Sequence, residues 1–435
     1  MARMIPVRNF TTSFKRTVER GRCRFATGPR CFLPIATLLV ASWTGCGQQP
    51  ESPARIEAPA RNQPASQNQL PRYELKIDAK ALRDIDRNPF SNQTHPATFI
   101  CGGKEYAVKV RSRGAWARTW PKKALKIFFE NGNDFEGNHC LNLNSGWRDA
   151  AFIREPLAYQ IYAACGVPAP KSRMVQLDVN GQFRGLYVEV EQPDKPLLKR
   201  YKLKGASLYK ANSGAGLADE RDLGSASAYP AHYEKETRKS EGHGELQEFC
   251  RALAKSNTPT LEFFTNHVDV PEFINYLAAS VLVQNWDWFN KNHFLAYDGH
   301  GSKKWMVVPW DLDRTFGDHW HGGFDRANVP LLLGTRALPG PTGWNRMAER
   351  FFTDATLKAR FLDRLDELLQ TEFTKARLFP MVDQLAAQIA TDAARDRRRW
   401  PGPAGDLSEG IVEVKSYIVR RRDFLLREVA RMRRE

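Results

Sequence analysis

The chain has 435 residues, 42% of them hydrophobic and 11 of them Trp, a composition that supports a large buried core and excludes a disordered or low-complexity protein. Its formal charge of +16 is inflated by residues 1–45, where eight Lys and Arg face only Glu19; the remainder carries +9. That balance suits a phosphate-bearing ligand or an acidic partner, and equally an ordinary basic surface. The basic residues are spread along the chain and form no aromatic-interleaved patch, so no nucleic-acid partner is expected.

Residues 1–45 have the form of an export signal. A basic stretch up to Arg30 precedes the apolar run from Phe32 to Trp43, which is short for a membrane span. Thr44-Gly45-Cys46 then resembles a bacterial lipobox, in which Cys46 is lipidated and becomes the mature N-terminus. Plain secretion and a later start, at Met4 or beyond, are the alternatives. Residues 46–72, rich in Pro, Gln, Ala and Asn, read as a flexible linker. Cys101, Cys140, Cys165 and Cys250 follow; an oxidising compartment permits disulfides between them, and the sequence does not choose a pairing.

From Tyr73 the pattern is strand-like. Apolar residues alternate over Tyr73–Ile77, Tyr106–Val110 and Lys123–Phe129, with a break at Gly114. A helix is predicted over Phe152–Ala164, closed by Gly166. Two strands, Met174–Val179 and Phe183–Val190, flank Asn180-Gly181, a strong hairpin signal. Residues 212–245 are polar and read as a long loop or insertion. Asp269-Val270-Pro271-Glu272 has the form of a capping box before an apolar helical stripe, Phe273, Ile274, Leu277, Val281 and Leu282. A strand pair, His293–Tyr297 and Trp305–Val308, comes next, and Leu357–Leu426 reads as Arg-rich helices. The expected architecture is α+β and bilobal, with a β-rich N-lobe over about 73–195 and a helical C-lobe over about 196–430.

Chemistry concentrates in two stretches. In Asn285-Trp286-Asp287-Trp288-Phe289-Asn290-Lys291-Asn292, an Asp stands five positions before an Asn, between a helix and a strand. In Pro309-Trp310-Asp311-Leu312-Asp313-Arg314-Thr315-Phe316-Gly317, an apolar strand ends in two carboxylates and a Phe-Gly turn. Phosphoryl transfer needs such a set: one carboxylate, Asp287, for the incoming hydroxyl, and Asn292, Asp311 and Asp313 to hold Mg²⁺ or Mn²⁺. Two carboxylates as close as Asp311 and Asp313 repel unless a cation lies between them. The bland reading is that Asn285 and Asp287 merely end the helix and start a turn. The Asp311-x-Asp313-x-Thr315 spacing also fits a haloacid-dehalogenase-like phosphatase, with Asp311 as nucleophile. Around the Gly114 turn lie eight cations between Lys104 and Lys126; Arg113, Lys123 and Lys126 are the candidates for ATP phosphates, and Glu155 for holding such a Lys in place. Asp318-His319-Trp320-His321 is a weaker candidate for metal binding.

These motifs, with Pro121-Lys122-Lys123, Gly185-Leu186-Tyr187, Glu191 and Leu208-Tyr209-Lys210 in the same order, resemble the CotH kinase family, relatives of spore coat protein H, over roughly residues 73–430. The resemblance implies an atypical kinase-like fold that uses ATP and a divalent metal to phosphorylate exported proteins, commonly on Ser. It places Asp287 as the catalytic Asp, Asp311 as the metal-binding Asp and Trp305 against the adenine. The chain differs from the family after Gly114, where Ala115, Trp116 and Ala117 replace the usual Asn, Ser or Thr. A surface scaffold that keeps the fold without turnover is the competing reading.

Overall fold

The computed structural model describes residues 70–435, except 131, 213–216, 320–326 and 341–342. The leader, Cys46, the linker up to residue 69, Trp320 and His321 lie outside the described residues. In chain order the elements are β1 (Arg72–Ile77), α1 (Ala79–Arg87), β2 (His95–Cys101), β3 (Lys104–Ser112), β4 (Leu125–Phe129), β5 (Cys140–Asn144), α2 (Arg154–Ala164), β6 (Ser172–Val179) and β7 (Gln182–Glu191). There follow α3 (Lys195–Arg200), β8 (Ser207–Ala211), β9 (Tyr233–Lys235), α4 (Gly244–Ala254), α5 (Thr260–His267), α6 (Val270–Val283), β10 (His293–Tyr297) and β11 (Trp305–Pro309). Four helices end the chain: α7 (Arg346–Phe351), α8 (Ala355–Thr371), α9 (Lys375–Arg399) and α10 (Leu407–Met432).

The first seven strands close into a barrel in the order β1-β2-β3-β4-β5-β7-β6. Alternation sends Tyr73, Leu75, Phe99, Val108, Val110, Ile127, Leu141, Leu143, Val175 and Leu177 into one interior cluster. Closure depends on the hairpin turn. Asn180 and Gly181 both take the left-handed conformation, φ 52° and 77°, as a two-residue type I′ turn requires. The Asn180 side chain then clamps β1: its Oδ1 accepts from the Ile77 N–H and its Nδ2 donates to the Ile77 carbonyl, both at 2.8 Å. This fixes the parallel register of β1 on β6, Tyr73 opposite Leu177.

A second core joins α2, α4–α10 and the antiparallel sheet β11-β10-β8-β9. The insertion at 212–245 is therefore more than a loop, because β9 within it pairs with β8. The capping box forms by half. Asp269 accepts from the Glu272 N–H at 3.1 Å, while the Asp269 N–H is taken by the Trp305 carbonyl and Glu272 accepts from Val307 instead. Cys101, Cys140, Cys165 and Cys250 are all free thiols, so no disulfide staples this region. Among the described residues no helix is long and apolar enough to cross a membrane.

A buried ion pair ties α9 to the barrel. Lys122 donates to Asp396 at 2.5 Å and to the carbonyls of Ser145 and Leu186, and Asp396 also accepts from the Leu186 N–H. Both side chains are fully buried, and burial pulls the Lys122 ammonium down to about 8 against the opposing pull of Asp396. Removing one partner strands the other charge. Asp396→Ala is expected to cost about 3–5 kcal/mol, read as a lowered midpoint in denaturant unfolding; an unchanged midpoint would show that the pair contributes little.

Candidate active site

The two motifs meet because β10 and β11 form a hairpin. His293 pairs with Pro309, which places Asn292 and Trp310 side by side, and the Trp310 N–H donates to the Asn292 carbonyl at 3.2 Å. Upstream, α6 ends at Gln284 in the left-handed conformation, φ 53°, which turns the chain out of the helix. Asn285 anchors the turn by donating to the Tyr162 hydroxyl at 3.2 Å, and its Oδ1 accepts from the Asp287 N–H.

Asp287 is buried and held from both sides. Asn292 Nδ2 donates to its Oδ2 at 2.9 Å, and Lys291 Nζ lies 3.0 Å from its Oδ1. Burial raises the Asp287 carboxyl, Lys291 opposes that shift, and Asp311 adds to it. With its amide nitrogen turned to Asp287, Asn292 keeps its carboxamide oxygen as the ligand it can offer. Asn292 and Asp311 both adopt φ 58°, a left-handed conformation that Asn and Asp tolerate better than other non-glycine residues. The Asp311 N–H donates to the Tyr159 hydroxyl at 3.2 Å. Two residues on, Asp313 is pushed far above the usual carboxylate range, first by burial and then by Asp311, with Arg314 opposing. Thr315 bonds the Leu312 carbonyl, and the Phe316 N–H donates to the Val283 carbonyl at 2.8 Å, tying the Phe-Gly turn to the end of α6.

The sequence-derived candidates divide. Asp287, Asn292, Asp311 and Asp313 come together. Glu155, near the start of α2, joins them: burial and Asp311 push its carboxyl up to about 8. Its expected partner is wrong, however. Both Glu155 oxygens accept from Asn144 Nδ2, at 2.9 and 2.8 Å, and among the described residues no Lys is bound to it. Arg113 does reach the cluster, its guanidinium 5.5 Å from the Trp310 ring and within electrostatic range of Glu155. Lys126 donates to Gln192 at 2.9 Å, with Arg113 and Lys210 among the charges around it. Lys123 points elsewhere: it bonds the Arg118 carbonyl at 2.7 Å and has Asp86 and Arg184 as its nearest charges. Its neighbour Lys122 is consumed by Asp396.

Trp305 is also a correction. It is 3% exposed and stacked on Phe249 and Tyr297, each with ring centroids 4.8 Å apart, so no adenine can lie against it. His319 packs on Trp286, with ring centroids 4.2 Å apart. The phosphatase alternative fails on topology. Asp311 follows an edge strand of an antiparallel sheet, and helices follow it, whereas that chemistry needs further βα units.

A divalent metal fits the donor set. Carboxylate and carboxamide oxygens are hard ligands suited to Mg²⁺ or Mn²⁺, and the mutual repulsion that raises Asp313 is what a cation would relieve. Among the described residues no three His, Cys, Asp or Glu side chains form a metal cage on their own. A cation held by Asn292, Asp311 and Asp313 would complete its shell with oxygens from outside the chain, such as water, as is common for Mg²⁺.

The fold and site define an α+β protein whose β-rich and helical halves meet at a kinase-type set of carboxylates. A family model described as "CotH kinase protein" matches residues 110–425, and the chain belongs to that family. Among curated relatives, the inner spore coat protein H of Bacillus subtilis is 28% identical over 331 residues, covering 74% of this chain and 88% of that protein. The invasin CotH2 of Rhizopus delemar is 23% identical and aligns with 76% of this chain, but over only 58% of its own length. A Helicobacter pylori proinflammatory kinase, CtkA, is similar at 11% identity, covering 71% of this chain and 94% of that one, with a TM-score of 0.34, too low to carry an argument.

The raised Glu155 carboxyl gives a pH test. Between its ordinary value of 4.5 and about 8 the folded state holds a proton that the unfolded state has released. Stability from this group is thus complete below 4.5 and falls as pH rises towards 8. Glu155→Gln should gain stability relative to wild type as pH rises from 5 to 8 in chelator-containing buffer, read by thermal unfolding. A difference that does not change with pH would refute the shift.

Proposed function

We propose that this chain transfers the γ-phosphoryl group of ATP to a hydroxyl, Ser in the first instance, on an exported or cell-surface protein. The observation that carries the reading is the convergence of Asp287, Asn292, Asp311 and Asp313 at the open end of the β10–β11 hairpin. Asp287 orients the acceptor hydroxyl and takes its proton; its bonds to Asn292 and Lys291 fix the direction in which the carboxylate faces. Asn292, Asp311 and Asp313 hold the divalent metal, which when bound neutralises charge on the β- and γ-phosphates. Arg113 and Lys126, on the barrel side, meet those phosphates, while Glu155, held protonated by burial and Asp311, would lose its proton to a cation bound nearby. Incubation of the purified chain with γ-labelled ATP and Mg²⁺ or Mn²⁺ tests the reading. Asp287→Ala should lower transfer by about 10²–10⁴-fold, and Asp311→Ala should remove it with the metal dependence. Label that persists in both variants would refute the assignment.

One feature favours the non-catalytic alternative: the turn after Gly114 offers Ala115, a largely exposed Trp116 and Ala117, with no hydroxyl for a phosphate. Nucleotide binding by a folded protein without transfer would support that scaffold. As part of the same reading we place the chain outside the cytoplasmic membrane, anchored by lipid on Cys46. Metabolic labelling with an alkyne fatty acid should tag the wild type and leave Cys46→Ala untagged; equal tagging would refute the anchor.

A further inference from the structure

The loop from Asp287 to Asn292 carries two of the candidate site side chains and a row of bonded backbone carbonyls. Those carbonyls are gripped one by one. His293 Nδ1 lies 3.0 Å from both the Trp288 and the Lys291 oxygens. Asn345 Nδ2 donates to the Phe289 oxygen at 3.2 Å, and the Ala218 N–H donates to the Asn290 oxygen at 2.9 Å. One buried carboxylate joins the gripping groups: Glu220 bonds His293 Nε2 through Oε1, at 3.0 Å, and Asn345 Nδ2 through Oε2.

Glu220 is set in place with unusual care. Its N–H donates to the Tyr233 hydroxyl at 2.9 Å, and the Arg346 N–H is bonded to the Asp219 carbonyl beside it. Its backbone is left-handed, φ 57°. A buried carboxylate and a left-handed Glu each cost stability, and together they stand directly behind the candidate active loop. Asn345 is committed as well, its Oδ1 capping α7 at the Ala348 N–H. Phe289 is seated between Gly334 and Gly340, where an added Cβ at either would collide with its ring. The hydrogen-bond chemistry is specific. With Nδ1 facing two carbonyls, that nitrogen carries hydrogen, so Nε2 and Glu220 can bond only by sharing one further proton.

We propose that Glu220 is a positioning residue: through His293 and Asn345 it fixes the carbonyl side of the 287–292 loop and thereby the aim of Asp287 and the carboxamide of Asn292. Its kinetic consequence rests on the phosphotransfer reading above; its structural consequence does not.

Two measurements on the full chain test it. In Glu220→Ala, hydrogen exchange should speed up in residues 286–292 while the barrel and α8–α10 exchange as in wild type. In the transfer assay, kcat should fall by about 10- to 100-fold with KM for ATP held within about twofold. Glu220→Gln should recover most of the rate, because its amide can donate to His293 Nε2 while its oxygen accepts from Asn345. If Glu220→Ala does not fold, Glu220→Asp, one methylene short of both partners, takes its place with the same expectations. Unchanged exchange at 286–292, or faster exchange throughout the molecule, overturns the proposal, as does a Gln variant no better than the truncated one. If the wild type transfers no phosphate, the functional reading fails and the exchange pattern alone decides the role of Glu220.

Discussion

Everything in the candidate site hangs on the register of two short strands. With His293 opposite Pro309, the residue before β10 and the residue after β11 become neighbours, and a backbone bond between Asn292 and Trp310 closes the end of the hairpin. A slip of one residue would turn the slipped strand's side chains to the opposite face and separate the two motifs. The register is well secured on either side. β10 pairs with β8 along its length, and the far edge of β11 is covered by α6, whose first turn takes the Val307 N–H. Packing thus buries Glu155, Asp287 and Asp313 around Asp311, and their mutual repulsion adds to the cost of that burial.

The two cores have different duties. The barrel interior is an aromatic and aliphatic plug, with Tyr73, Phe99, Tyr106, Phe129 and Phe135 in edge and stacked contacts. It contributes Arg113 to the candidate site. The helical core supplies the floor: α6 sets the loop, α2 brings Glu155 and Tyr159, and Arg421 on α10 bonds the carbonyls of Val281, Ala327 and Val329. Lys122 and Asp396 connect the two where apolar contact alone would leave the angle between barrel and α9 loosely specified.

What could be read from the sequence was what local chemistry dictates. Alternation in Tyr73–Ile77, the Asn180-Gly181 turn and the apolar stripe of α6 each announce themselves within a few residues. So do Asp287, Asn292, Asp311 and Asp313, because spacing and neighbouring turns mark them. Long-range partners were not legible. Nothing near Glu155 predicts Asn144 in place of a Lys, nothing in a run of cations separates a buried Lys122 from Lys126, and an aromatic on a strand gives no sign of which rings will cover it, as with Trp305. The short β2 and β5 and the nine-residue helix α1 were missed, α1 despite an amphipathic pattern that seats Ile85 in the barrel core. Glu220 lay in a polar stretch that read as a long loop or insertion; a carboxylate flanked by Asp219 and Arg221 carries no signal of its own until the fold brings His293 to it.

The parallel pairing of β1 with β6 has a consequence beyond architecture. A sheet that closes on itself offers no row of unpaired amides and carbonyls to another chain. Another chain therefore cannot dock on the barrel by adding a strand, and neither can a second copy in the manner that seeds fibrils. Any contact made on the barrel has to be written in side chains, which can change singly without disturbing the sheet beneath them.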